Sequence, residues 1–234
     1  MSEVFPMAET GLFDAMYTAR ALRRYKTDPI PDDVMTKILD AAIRAPSGSN
    51  QQNWVFVVVK EAAKKKKISD IYARGAQILS AVYANRPRPP HMDEKQFQTL
   101  MNSAMYLFDH MHEAPVLLFA CLRNETPAGP VPNLPPEIAA QAAKMARLGG
   151  SSIYPAVQNI ILACRAFGIG TVLTTLHIFF EDEVKEILGL PREIQTYALL
   201  PMGYPINKFG PLKRRPVSEV AFLDSYGNNW KGKA

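Results

Sequence analysis

Two short stretches concentrate side chains able to grip an anionic, polar ligand. The first, Arg20-Ala21-Leu22-Arg23-Arg24-Tyr25, carries three arginines in five positions, and guanidinium groups bind phosphate through paired N–H donors. The second runs Ala45-Pro46-Ser47-Gly48-Ser49-Asn50-Gln51-Gln52-Asn53-Trp54 and sets six polar residues and a flexible glycine between two apolar stretches. A simple turn needs fewer. Such a loop can present hydroxyl and amide groups to a polar heterocycle or a phosphate. A further basic run, Lys213-Arg214-Arg215, lies near the end of the chain, whereas Lys64 to Lys67 falls where a helix is expected and reads as a solvated face. Other chemistries find little support. His91, His110, His112 and His177 have no metal-ligand spacing, and His110 and His112 diverge on a helix. Gly168-x-Gly170 precedes an expected strand and has Leu173 at the third glycine position, so it fails as a dinucleotide fingerprint. Ser47 lacks a nucleophile-elbow context.

The elements that must position these residues follow from the apolar pattern. The chain has 234 residues, 47% of them hydrophobic and 21% charged, with a formal net charge of +5; this suffices for a real core and argues against wholesale disorder. The N-terminus, Met1 to Pro6, has no secretory character. The longest uncharged apolar stretch, Ala114 to Leu122, has nine residues and contains Pro115, against the roughly 20 a membrane span needs. A soluble cytoplasmic protein is expected, with Cys121 and Cys164 as buried, inert thiols. Helical spacing predicts a first helix over Gly11 to Tyr25, its end carrying the arginines, where cations also favour the helix dipole. A second helix is expected over Asp32 to Ala45, stopped by Pro46 and Gly48, then a buried strand over Trp54 to Val59. Helices are predicted over Ala62 to Tyr83, Asp93 to His112 and Ser152 to Phe167, and a short one over Glu181 to Leu188. Strands are predicted over Val116 to Leu122, Gly170 to Thr174 and Tyr197 to Met202. The proline-rich Thr126 to Pro136 must be a loop. The tail from Lys208 is polar and extended but carries Phe222, Leu223, Tyr226 and Trp230, anchors suited to a partner subunit.

Taken in order, these segments resemble the nitroreductase-like flavoprotein family. Its basic opening motif corresponds to Ala19 to Tyr25. Its APSxxNxQxW loop corresponds to Ala45 to Trp54, departing only at Asn53, where proline is usual. Its helix-and-strand block corresponds to Ser152 to Asn159 and Gly168 to Thr175, and its closing basic element to Met202-Gly203-Tyr204-Pro205 and Lys213 to Val220. Order and spacing agree from Leu12 to Val220. The resemblance implies an α+β fold: a mainly antiparallel central sheet flanked by helices, one domain over 1–234, with 208–234 as an extended C-terminal arm exchanged in an intertwined homodimer.

It also implies an FMN site. Arg20 and Arg215, helped by Lys213, would hold the phosphate, and Arg23 would lie beside N1 and the C2 carbonyl, where a cation favours the reduced ring. Ala21 and Leu22 belong to the same contact; Ala21 stands where a small hydroxyl residue is common. Pro46, Ser47, Gly48, Ser49, Asn50 and Gln52 would contact the FMN, often from the other subunit. Leu173, Thr174 and Thr175 would pass under the ring and offer backbone amides toward O4 and N5; His177, just past them, is a candidate to line the substrate cavity, the alternative being a loop or core histidine. The Tyr83 to Met92 and Thr126 to Pro136 segments would carry specificity. The implied activity is ping-pong transfer of electrons from NADH or NADPH through FMN to a nitroaromatic, a quinone or a similar small molecule, with no catalytic side chain, no metal, no membrane and no nucleic acid. Other flavin chemistry on the same fold (reductive dehalogenation, dehydrogenation, flavin breakdown) is the alternative. A non-enzymatic basic protein binding nucleic acid is a second, unsupported by any aromatic–basic interleaving.

Overall fold

The computed structural model describes residues 10–83, 87–123 and 148–232, together with positions 135 and 138. Strands β1 (Trp54–Val59), β2 (Val116–Arg123), β3 (Gly170–Thr171) and β4 (Ile194–Gly203) form one antiparallel sheet in the order β1-β2-β4-β3. Six helices among the described residues surround it: α1 (Leu12–Thr18), α2 (Asp32–Ala42), α3 (Ala62–Tyr83), α4 (Glu94–His110), α5 (Tyr154–Ala166) and α6 (Glu181–Leu188). The α+β class and the mainly antiparallel sheet are as expected. None of these helices is long and apolar enough to cross a membrane.

The apolar run of β2 is buried from Val116 to Leu122 because both of its faces are covered. Val116, Leu118, Ala120 and Leu122 join Ile38 and Ala42 of α2 and Val157, Ile160 and Cys164 of α5. The alternate residues Leu117, Phe119 and Cys121 join Ile68 and Tyr72 of α3, Leu107 of α4 and Val184 of α6. β1 reads as equally apolar but stands at the sheet edge and is only half-buried along most of its length, so the expected fully buried strand is an edge strand.

The first helix is the main correction to the expected elements. It ends at Thr18, and the arginines lie beyond it on an extended segment. Leu22 N–H donates to Thr171 O at 3.1 Å, and Lys26 N–H donates to Tyr204 O at 2.8 Å. Tyr25 forms an antiparallel bridge with Pro205. Pairing with the ends of β3 and β4 thus overrides a helical spacing that Leu22 happens to continue. The glycines that failed as a nucleotide fingerprint have a structural purpose here. Gly168 adopts φ 70° just after α5. Gly170 lets the arginine segment close in, since a Cβ there would lie 3.1 Å from Leu22 Cβ and 3.0 Å from Pro205 Cβ.

β3 is shorter than the predicted Gly170 to Thr174. The ladder lapses after Thr171 and resumes for one bridge, Thr174 to Leu199. Pro201 of β4, which has no N–H, lies in the gap, and its carbonyl accepts the hydroxyls of Thr171 at 2.9 Å and Tyr25 at 3.1 Å. The tail from Lys208 is extended except for one turn at Val217–Glu219 and a bend that bridges Phe222 to Asn229. The Thr126 to Pro136 loop, apart from Pro135, lies outside the described residues.

Candidate functional site

Along the extended segment, Leu22 and Tyr25 are buried while Arg20, Ala21 and Arg24 are exposed and Arg23 is half-buried. Tyr25 pins the segment: besides Pro201, its hydroxyl donates to Leu22 O. Arg23 Nη1 donates to Ser103 Oγ of α4 at 3.2 Å, and Arg24 lies 3.7 Å over the ring of Tyr106, also on α4. Burial pulls the Arg23 guanidinium below its usual value, an effect that Tyr25 and Tyr72 oppose. No carboxylate among the described residues pairs with Arg23. A half-buried cation without a counter-charge lacks the compensation such a site ordinarily has.

Arg23 opens onto a cleft of about 280 Å³. Its floor is the segment from Val172 to Leu176, and its far wall is formed by Tyr72 of α3 with Ala104 and Phe108 of α4. Leu173, Thr174 and Thr175 therefore share one cavity with Arg23, as the sequence suggests. Their amides are not equivalent. Thr174 N–H donates to Leu199 O at 2.9 Å and is committed to the sheet. The N–H groups of Leu173 and Thr175 have no backbone acceptor among the described residues, so two of the three expected donors are available. A second cavity of about 440 Å³, lined by Tyr154, Tyr197, Gln195 and Glu181 among others, meets the first at Thr175.

The Pro46 to Gln52 loop turns away from this cleft and contributes no residue to it. It is held by the turn before α5: Gly48 N–H donates to Ser152 Oγ at 3.0 Å, and Trp54 Nε1 donates to Ser152 O at 2.6 Å. Ser47 is half-buried and its hydroxyl accepts from Gln52 N–H at 3.0 Å, while Pro46, Gly48, Ser49, Asn50 and Gln52 are exposed. Ser49, Asn50 and Gln52 adopt φ of 51°, 53° and 50°. Three non-glycine residues in the left-handed region within four positions store strain of a kind that collects at ligand sites.

The closing basic run returns toward the first arginines. Leu212 N–H donates to Tyr17 O at 2.8 Å, and Arg20 Nη1 lies 3.8 Å from where a Gly210 Cβ would sit. Arg165 of α5 donates to Thr18 Oγ1 at 2.7 Å and covers Phe209. Lys213 and Arg215 follow, both exposed. Arg20, Arg165, Lys213 and Arg215 have no carboxylate partner among the described residues.

His177 is not part of either cavity. Its ring is fully buried, edge-on to Phe119, with neither nitrogen hydrogen-bonded, and burial holds it at about 4. Its position one residue past the cavity floor suggests a lining role, but the turn at Leu176–Phe180 directs the ring into the core. The cysteines are buried and free, with the Cys121 thiol pushed up to about 12. The described part of Tyr83 to Met92 does not reach the cleft; α4 takes that wall instead. Sequence reasoning missed Tyr72, Ser103 and Arg165, which acquire meaning only from their neighbours, and it gave Ser152, at the start of the quoted helix block, no role in holding the loop. Lys64 and Lys66 pair with Glu61 and Asp70, and Lys65 donates to Ala114 O at 2.6 Å, in keeping with a structural role for that run.

A family model described as the nitroreductase family matches residues 17–204. The chain is 28% identical over 207 residues to a protein named NADH dehydrogenase from Thermus thermophilus, the match covering 86% of this chain and 90% of that one. Among solved structures it superposes on a BluB-like flavoprotein from Clostridium difficile 630 with a TM-score of 0.68 at 23% identity, covering 92% of this chain and 99% of that one. It also superposes on an iodotyrosine deiodinase bound to FMN and 3-iodo-L-tyrosine, with a TM-score of 0.65 at 24% identity, over 92% and 99% of the two chains.

Proposed function

This chain belongs to the nitroreductase family, and from that premise we propose that it is an FMN-dependent oxidoreductase using NADH or NADPH. The observation that carries the reading is Arg23, a half-buried guanidinium lining a cleft without a carboxylate partner among the described residues. A flavin whose reduced ring is anionic would supply the missing negative charge. When bound, FMN would supply the redox chemistry, relaying electrons from NADH or NADPH to a nitroaromatic, quinone or similar acceptor in ping-pong order.

The chain's own residues bind and orient. Arg20, Arg215 and Lys213 hold the phosphate, with Arg165 adding charge beside them. Arg23 meets the pyrimidine edge, and the amides of Leu173 and Thr175 face the ring. Ala21 and Leu22 form the adjoining backbone wall. The strained Ser47 to Gln52 loop, turned away from its own chain's cleft, serves the site of a second copy. The exposed Leu12, Phe13, Met16 and Tyr17 of α1, with the anchors of the arm, supply apolar surface for that copy. The proposed unit is thus one domain over 1–234 with an exchanged arm from 208. Reconstitution with FMN tests the reading: flavin absorbance should survive desalting, and its loss would overturn the assignment.

A second reading, reductive dehalogenation of a halogenated phenol, is favoured by the likeness to the deiodinase structure. Measuring halide release against quinone and nitroaromatic reduction on the reconstituted protein separates the two.

A further inference from the structure

Helix α3 touches the floor of the cleft at two points one turn apart. At Gly75 the helix backbone comes so close that a Cβ would lie 2.5 Å from the carbonyl oxygen of Leu176, a backbone atom that cannot yield. At Tyr72 the phenol oxygen lies 2.8 Å from Thr174 Oγ1. Thr174 is otherwise fixed by β4, since its N–H donates to Leu199 O and its carbonyl accepts from Leu199 N–H, both at 2.9 Å. Its backbone therefore has no freedom, and Tyr72 removes that of its side chain. Every polar atom of Thr174 is engaged except the hydroxyl's remaining hydrogen-bonding capacity, and Thr174 lines the cleft.

The acidity of the two groups decides which hydroxyl donates. Tyr72 is buried against Thr174, and a phenol is a far stronger acid, and so a better donor, than an aliphatic alcohol, whose oxygen is the better acceptor. The proton of Tyr72 then points to Thr174 Oγ1, and the Thr174 proton is left to point into the cavity.

We propose that Tyr72 is a positioning residue: by donating to Thr174 it makes the Thr174 hydroxyl a fixed hydrogen-bond donor aimed into the cleft at the isoalloxazine ring. This rests on the FMN reading above and goes further, because it names how α3, which carries no family motif, tunes the cofactor. A donor aimed at the ring favours the reduced flavin, which holds more negative charge, over the oxidised one.

The test compares wild type, Tyr72→Phe, Thr174→Val and the double variant, each reconstituted with FMN and separately with riboflavin. Dissociation constants are measured in the oxidised state, and midpoint potentials by spectroscopic titration. Tyr72→Phe should retain oxidised FMN but weaken reduced FMN about tenfold relative to oxidised, a midpoint about 30 mV lower for a two-electron couple. Thr174→Val should do the same, riboflavin should show the same shift, and the double variant should shift no further than either single one, because one bond carries both effects. An unchanged midpoint in Tyr72→Phe, or shifts that add in the double variant, would overturn the inference and leave Tyr72 as a packing residue. Should Tyr72→Phe melt far below wild type, Thr174→Val decides alone, and an unchanged midpoint there overturns it equally. A wild type that takes up no flavin removes the FMN reading itself, an outcome distinct from a flavin-loaded wild type whose variants do not shift.

Discussion

A guanidinium kept half out of water needs an anion nearby, and Arg23 and Arg165 are both half-buried with no carboxylate partner among the described residues. If Arg20 and Arg215 hold a phosphate, replacing either with Ala removes charge-assisted bonds worth roughly 1.5–3 kcal/mol, about ten- to a hundredfold in FMN affinity. Riboflavin affinity should be nearly indifferent to both changes. Arg88, exposed and 3.5 Å from Glu94, is the control and should cost nothing in flavin retention. Equal losses of FMN and riboflavin in Arg215→Ala would show that this residue supports the fold instead. His177 makes a prediction of another kind. Its folded value near 4 lies below the ordinary 6.5, so the unfolded chain takes up the proton first. The stability this ring permits is complete above pH 6.5, declines as pH falls, and is lost by pH 4, a change of roughly 3 kcal/mol by linkage. His177→Phe, which keeps a ring against Phe119, should flatten that stretch of the acid-stability curve; an unchanged curve would mean that the imidazole finds a partner. The charged residues of the site were legible in the sequence because charge clustered beside apolar stretches has few structural uses. His177 stays open between cavity and core in the sequence because proximity along the chain says nothing about where a short turn aims a ring. Tyr72 was invisible, being one aromatic among the apolar positions of a long helix.

Among the elements, the Ser47 to Gln52 loop concentrates the most strain. A non-glycine residue in the left-handed region costs about 1–2 kcal/mol, partly offset in a glycine variant by the extra freedom of its unfolded chain. Ser49→Gly should therefore leave the flavin-free protein as stable or up to about 1 kcal/mol more stable. It should nevertheless bind FMN less tightly, since a looser loop must be ordered on binding. Denaturant melts paired with FMN titration check both signs, and unchanged FMN binding would show that the loop is no part of the site. The loop's existence was legible from its polar composition, but its hold on Ser152 was not, because that contact spans 104 residues. The first helix shows the limit of periodicity: Leu12 and Met16 lie on it, whereas Leu22 keeps the same spacing yet is buried by β3. The same spacing thus covers two exposed residues on a helix and a buried one on an extended segment, so it fixes neither the burial nor the element.

At the scale of the molecule, the proposed dimer rests on apolar surface that the single chain leaves in water. Tyr226 is 92% exposed, and Val217, Val220, Leu223 and Trp230 are also exposed along the arm. Sedimentation should find a dimer, and a stable flavin-loaded monomer would refute the exchanged arm. Truncation after Val220 should weaken the dimer and lower the melting temperature more than removal of an unanchored tail would. The class of fold could be read from the alternation of elements, but the strand order β1-β2-β4-β3 could not, since it depends on which edges meet across long separations. That order places Trp54-Val55-Phe56-Val57-Val58-Val59 at the border of the sheet, its outer rim unpaired by any strand among the described residues. The six residues are uncharged, β-prone and free of proline and glycine, the composition of a steric zipper. The unpaired rim can therefore pair with that of a second copy, so a preparation at high ionic strength, where the repulsion of the +5 chains is screened, should age into thioflavin-positive fibrils sooner than one at low ionic strength. The shelf life of the protein is in this sense a measure of how well its border is guarded.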